Sequence, residues 1–198
     1  DRYRNFNGFE LTFQKRYANR WQMSASYAYN DAKDYWDSPA AYEDPTNIAQ
    51  WHGAQYAPET SGSGIGGIFQ NAKWLVKLSG RYTLPYDINL AANYNGRQGY
   101  PFPQGILTRN RGSGAGTTTV LLDPLGDVRL ANLHTLDLRI DKAFRFGGRS
   151  ITPAIEIFNL SNTNTVLAMN RNQAAANANR VSGIVAPRVV RFGVQVRF

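Results

Sequence analysis

Cysteine is absent from the 198 residues, which excludes disulfide scaffolds and thiolate metal sites. Its absence also suits a protein that crosses an oxidising periplasm before it folds. No stretch approaches the roughly 18 to 20 consecutive apolar residues that a membrane helix needs. Mean hydropathy is −0.44. Such a value does not exclude a membrane protein, because strands that cross a bilayer alternate lipid-facing with water-facing residues and average out. Histidine is nearly absent too, with only His52 and His134. No signal peptide stands at Asp1, so either it has been removed or the chain begins inside a longer protein.

Aromatic residues are plentiful, with 11 Tyr, 10 Phe and 4 Trp. The formal net charge is +8. Lys and Arg are interleaved with apolar residues inside strand-like segments and form no patch or helical stripe, so nucleic acid is not an expected partner.

Alternation with period two recurs in seven segments, and a period of 3.6 fits none of them over a full window. Phe9, Leu11 and Phe13 alternate with Glu10, Thr12 and Gln14. Trp21, Met23, Ala25, Tyr27 and Tyr29 alternate with Gln22, Ser24 and Ser26. Trp74 to Tyr82, Ile88 to Tyr94, Leu136 to Ile140, Ile151 to Ile157 and Val190 to Phe198 repeat the pattern. Successive side chains on a strand point to opposite faces, so each segment carries one apolar and one polar face. At about 9 to 12 residues each, tilted strands of this kind span a bilayer core, whereas ordinary globular strands average about 5 or 6. The expected class is therefore all-β, an antiparallel transmembrane β-barrel segment of seven strands.

Connections alternate between short and long. Tyr17–Trp21, Leu84–Ile88 and Phe146–Arg149 are short turns, and 30–72, 96–132 and 159–187 are long. Outer-membrane barrels have short periplasmic turns and long extracellular loops, which places Phe198 on the periplasmic side. Tyr17, Trp21, Tyr82, Tyr86, Phe144, Phe146 and Phe198 gather at the short-turn ends, and Tyr29, Trp74 and Tyr94 at the long-loop ends, as two interfacial girdles require. Phe158 has inward parity and Lys142 outward parity, close enough to the short-turn end to snorkel. Pro153 suggests a bulge. An odd count of seven leaves a barrel open, so residues 1–198 are expected to be the C-terminal portion of a larger barrel. The alternative is an eighth strand hidden at Thr117–Leu122.

The ending Arg188–Phe198, with Phe192, Val194, Val196 and Phe198 alternating, resembles the terminal strand that the barrel-assembly machinery reads as an insertion signal. Leu136–Gly147 followed by Pro153–Asn162, which contains Phe158-Asn159-Leu160 and Asn162, resembles the penultimate hairpin of TonB-dependent outer-membrane receptors. Trp74–Asp87 with Asn95–Phe102 resembles the preceding hairpin, and the nearest type is the Oar-like receptors that carry a carboxypeptidase-regulatory-like domain. The resemblance implies a 22-stranded barrel in the Gram-negative outer membrane, with an N-terminal plug and a TonB-contacting segment not contained in these residues. It further implies TonB-dependent uptake of an unknown ligand, with outer-membrane lipid, the rest of the barrel, the plug and TonB as partners. A passive porin-like channel or a structural barrel is the alternative.

Specificity is expected on the long loops, since loops on rigid scaffolds carry function. Loop 30–72 holds six of the fourteen acidic residues against only Lys33. Within it, Asp34, Tyr35, Trp36, Asp37 and Trp51 are the candidate ligand contacts, aromatics beside carboxylates that suit a sugar, peptide or cation. The acids do not match a calcium loop, and no metal or cofactor is expected. Asp137, Arg139, Asp141, Glu156, Arg191 and Arg197 are expected to face the lumen as a salt-bridge ladder or a surface for the plug. The segment Asn170–Arg180 reads as a short helix or a disordered tip. Neither histidine lies in a G-x-S-x-G context, so no catalytic residue is assigned and the chain is not read as an enzyme.

Overall fold

The computed structural model describes residues 2–36, 55–56, 72–108, 118–123 and 126–198. They form an all-β chain. Strands β1 (Arg2–Ala18), β2 (Trp21–Trp36), β4 (Trp74–Thr83), β5 (Ile88–Arg97), β8 (Leu133–Lys142), β10 (Arg149–Phe158) and β13 (Val189–Arg197) pair in that spatial order. Every neighbouring pair is antiparallel. A short β3 (Gln55–Tyr56) extends the sheet beside β2, and β9 (Phe144–Phe146) continues the line of β8 against β10. Among the described residues β1 and β13 do not pair with one another.

The short connections turn on pairs of consecutive residues held at positive φ. Asn19 (φ 53°) and Arg20 (φ 68°) join β1 to β2, and Gly147 (φ 49°) and Gly148 (φ 84°) join β9 to β10. Two consecutive residues at positive φ make the turn whose twist matches that of the flanking strands. A Cβ on either glycine would meet nothing within 4 Å, so backbone conformation and not space selects glycine there. Pro85–Asp87 joins β4 to β5, with Tyr86 (φ 62°) and Asp87 (φ 58°) again consecutive at positive φ.

Strands β1 and β2 run 17 and 16 residues, longer than the alternating segments predict. Above Tyr29 the outward parity passes to Asp31 and Lys33, which pair with each other at 3.5 Å, while Lys73 reaches Asp31 at 3.8 Å. The hairpin therefore continues as a strand after its apolar face has ended. As a result Asp34, Tyr35 and Trp36 lie on β2, opposite Arg4, Tyr3 and Arg2, and not in a loop as expected.

Pro153 makes no bulge. Ile151 pairs with Phe144 and Ala154 with Asp141, the same register on either side. The pairing with β13 is unbroken from Ser150 to Phe158. The proline only interrupts the ladder to its β8 side, because it has no N–H to donate.

The long connections are themselves built. β6 (Gly105–Thr108) and β7 (Thr118–Leu121) form one ribbon, and β11 (Val166–Met169) and β12 (Val181–Ile184) another. The strand expected at Thr117–Leu122 thus exists as β7, but it pairs with β6 and adds nothing to the main sheet. Asn170–Arg180 is neither helix nor disordered tip. It is a run of turns closed by Asn170 N–H to Arg180 O at 2.9 Å and Asn179 N–H to Asn170 O at 2.8 Å. A bridge between Gly105 and Asn172 ties the two ribbons together.

Candidate functional site: the concave polar face

The cross-strand registers place every apolar segment on one face. Phe13, Ala25, Leu78, Tyr94 and Leu136 form one row across five strands. Trp21, Tyr82, Leu90, Ile140, Ile155 and Phe192 form another across six. No second layer covers these side chains among the described residues. Leu11 is 64% exposed and Phe192 76%. Among the described residues the buried hydrophobic side chains are Ala32, Ala72 and Ala154, with Pro103 the largest side chain that is fully buried. The opposite face is polar, from buried Asn89 and half-buried Arg139, Asp141 and Glu156 to exposed Gln22, Ser24, Ser79 and Arg81. One groove of about 690 Å³ is lined by residues from β1, β2, β4, β5, β8 and β10, among them Gln14, Gln22, Ser79, Arg81, Asn93, Arg139 and Glu156. For one groove to touch six consecutive strands the sheet must curl, with its polar face inside.

A connected polar network crosses this concave face. Arg139 donates through Nη1 to Glu156 Oε1 at 2.6 Å and through Nε to Asp141 Oδ2 at 2.9 Å. Arg191 donates to the other oxygen of Glu156. Asn89 donates to Asp141 Oδ1 at 2.8 Å and accepts from Thr83 at 3.0 Å. Tyr17 donates to Thr83 at 3.0 Å. The sheltered carboxylates are thus each shared between two donors, the condition under which charge in a low-dielectric setting is tolerated.

Tyr17 joins this network against its sequence parity. Lys15 pairs with Met23 but Ala18 pairs with Trp21, so Arg16 and Tyr17 stand together opposite Gln22. That extra residue is a β-bulge, which re-aims side chains next to it. It turns Tyr17 from the expected girdle position to the concave side. Lys15 remains on the apolar side and folds toward the turn, giving hydrogen bonds to Ala18 O at 2.7 Å and Trp21 O at 3.0 Å. Its Nζ lies 3.9 Å from the Trp21 ring centroid. Lys142 sits over Phe144 at 5.1 Å in the same manner.

Of the charged residues singled out by sequence, Arg139, Asp141, Glu156 and Arg191 lie in the network. Asp137 instead accepts the backbone N–H of Asn159 at 2.8 Å, and Arg197 is exposed at the end of β13 opposite Ser150. Phe158 lines the concave groove, with the Arg191 guanidinium 5.3 Å from its ring. Phe192, Val194 and Val196 alternate along the exposed convex face of β13, and Phe198 follows it, 98% exposed. Asp37, Trp51 and His52 lie outside the described residues. Among those described, no group of three or more His, Cys, Asp or Glu is placed to hold a metal ion. His134 lies on the apolar face, where its Nδ1 is 2.8 Å from the Tyr94 hydroxyl and its ring 5.9 Å from Trp74.

Asn159 was not singled out by chemistry, yet it is densely hydrogen-bonded at the long-connection end of β10. It is 5% exposed and adopts φ 50°. Its Nδ2 donates to Thr163 O at 2.9 Å and Ala186 O at 2.8 Å, and its Oδ1 accepts from Thr163 N–H at 2.9 Å. It fastens the start of one long connection to the end of the same connection. No protein-family model matches the chain, and neither a curated protein nor a solved structure matches it.

Proposed function

We propose that this chain is part of the wall of an outer-membrane β-barrel, the C-terminal portion of a TonB-dependent receptor that imports a ligand. The observation that supports the membrane reading is the apolar face that nothing covers among the described residues. That convex face is open, with Phe192 76% exposed. In water this arrangement would leave an apolar surface far larger than monomeric soluble proteins carry. In a bilayer the lipid tails cover it, and the polar face lines an aqueous or protein-filled interior. Strand edges at β1 and β13 need partners within lipid, which further strands of the same protein supply. Longer connections all at one end agree with an extracellular rim.

The transport part of the reading rests on the resemblance of the Leu136–Asn162 and Arg188–Phe198 segments to such receptors. On it, the concave network borders a plug, and the acidic, aromatic stretch around Asp34–Asp37 and Trp51 contributes to ligand capture. The membrane reading is tested by reconstitution in vesicles containing brominated lipid. Trp21 and Trp74, on the convex face at opposite ends, should both be quenched, and extraction should require detergent. Emission unaffected by bromine would end this reading. The receptor reading is tested separately by the protein that contains this chain: it should carry a plug, and uptake should stop when TonB is deleted. A barrel-only protein that conducts ions in planar bilayers would replace active import with a passive channel.

A further inference from the structure

The concave face divides into a half whose charges are neutralised and a half whose charges are not. One cross-strand row runs from Gln22 to Arg81, Ala91, Arg139, Glu156 and Arg191 on successive strands. At its β1 end the bulge places Arg16 opposite Gln22. Two cations at the β13 end, Arg139 and Arg191, share Glu156, and Arg139 also holds Asp141. Arg16 and Arg81 at the other end have no hydrogen bond or ion pair among the described residues, and Gln22 between them makes no side-chain hydrogen bond there. All three line the groove.

The neighbouring acids are committed elsewhere. Asp141, whose field reaches Arg81, is bound by Arg139 and Asn89. Asp137 accepts from Asn159, and Glu156 serves two arginines. Glu10 lies six residues up β1, about 20 Å away at the strand rise. Arg16 and Arg81 flank β2, so their backbones stand about 10 Å apart, within convergent reach of two long side chains. Ala91, next in the row, is too short to fill the space beside Arg81. Arg16 and Arg81 are separated by Gln22 on β2 and both are exposed to the groove, so two like charges repel across one polar opening. An anion between them reverses the sign of that interaction, and two planar guanidinium forks suit an oxyanion better than any other partner.

We propose that Arg16, Gln22 and Arg81 form an anion-binding site on the concave face, which takes a carboxylate or phosphate group. Each guanidinium offers paired N–H donors, and the Gln22 amide supplies a neutral donor between them. Ser24, Ser79 and Asn93 line the adjoining part of the groove and accommodate the polar remainder of the ligand. The site requires only the curl of the sheet and the bulge in β1. It does not depend on what solvates the convex face, so it stands or fails separately from the membrane reading.

The test is calorimetric titration of the full-length protein in detergent micelles at low ionic strength. Three probes are used: inorganic phosphate, succinate and a glutamate-rich peptide. Saturable binding of any probe should weaken at least tenfold in R16Q/R81Q and by an intermediate factor in R16Q and R81Q alone. Arg145→Gln, which removes a cation paired with Asp87 at the same end of the sheet, should leave it unchanged. Binding of the small anions identifies a free oxyanion ligand, whereas binding of the peptide alone identifies an acidic protein segment. No saturable binding of any probe, equal affinity in R16Q/R81Q, or equal weakening in Arg145→Gln would overturn the site.

Discussion

Tyr17 on β1 gives its hydroxyl hydrogen to Thr83 on β4, 3.0 Å away, although β2 lies between the two strands. The contact exists because the bulge at Arg16 and Tyr17 turns the ring off the apolar face and over Gln22. Tyr17→Phe removes only the donor. With Tyr17 52% exposed, the expected loss is at the low end of the range for one hydrogen bond, about 0.5 to 1.5 kcal/mol. It is read as a shift in the urea midpoint with an unchanged slope. In a Thr83→Val background the same change should have less effect, because the acceptor is already gone. Equal losses in the two backgrounds would mean that the ring, and not the hydroxyl, matters.

Glu156 serves two arginines, so its replacement differs in kind from replacement of either one. Glu156→Gln leaves Arg139 and Arg191 facing each other with their shared counter-charge removed. Arg191→Gln leaves Glu156 still bound to Arg139, and the lost side chain was 63% exposed. The unfolding midpoint should fall further for Glu156→Gln than for Arg191→Gln. The combined variant should lie closer to wild type than the separate losses added together. Added salt should narrow the difference, since partly exposed pairs are screened. Strict additivity in this cycle would show that the pairs do not couple.

The seven strands of the main sheet were legible because each carries an apolar face. Where that face ends, so does the signal. Beyond Tyr29 the outward positions are Asp31 and Lys33, and the strand continues through backbone pairing with β1 that no side-chain pattern announces. Tyr17 misled for a related reason, since a single extra residue inverts parity and leaves no compositional mark. Parity places the charged residues Arg139, Asp141, Glu156 and Arg191 on one face, but the register that joins Arg139 to Glu156 and Glu156 to Arg191 comes from backbone pairing, and Asp137 and Arg197, of the same parity, stay outside the network. The alignment of Arg16 with Gln22 and Arg81 depends on the bulge as well. Asn159 is a polar residue after an alternating run, and nothing local shows that it closes a connection ending at Ala186.

Asn159 combines an uncommon backbone conformation with a fully used side chain. Asn159→Ala keeps neither, and the expected cost is about 2 to 4 kcal/mol from αL strain plus unsatisfied buried partners. Asn159→Gly restores the backbone freedom and loses only the side-chain bonds, so about 1 to 3 kcal/mol is expected. The ordering Ala worse than Gly, measured by denaturant midpoint, separates the two contributions. Hydrogen exchange at Thr163 N–H, which bonds to Asn159 Oδ1, should accelerate in both variants. Unchanged protection there would remove the hub from the account.

Gly148 sits at φ 84° with open space where a Cβ would go. Steric contact therefore contributes nothing, and any penalty for Gly148→Val is conformational. A β-branched residue in that region costs about 1 to 2 kcal/mol. Gly148→Asn, which tolerates the conformation better, should recover much of the loss. The readout is folding yield and midpoint for the two variants side by side. Equal behaviour of Val and Asn would mean that the β9–β10 turn adopts another geometry in solution.

Leu78 and Ser79 are consecutive on β4 and face opposite ways, so one substitution placed at each tests the sidedness of the whole sheet. Leu78 pairs with Ala25 and Tyr94 on the convex face, and Ser79 with Ser24 and Asn93 on the concave one. If lipid tails solvate the convex face, Leu78→Arg places a charge within hydrocarbon and costs about 2 to 4 kcal/mol near the bilayer midplane. Val194→Arg on β13 should behave alike, because Val194 lies on the same face and is 67% exposed. Ser79→Arg adds the identical side chain to a polar groove, so membrane yield and heat-modifiable mobility should stay near wild type. In water the expectation reverses. Leu78 is 37% exposed and Val194 more so, so arginine at either position would improve solubility and leave folding intact. The sign of the difference between Leu78→Arg and Ser79→Arg, measured as folded protein recovered in the outer-membrane fraction, therefore decides which solvent the apolar face meets.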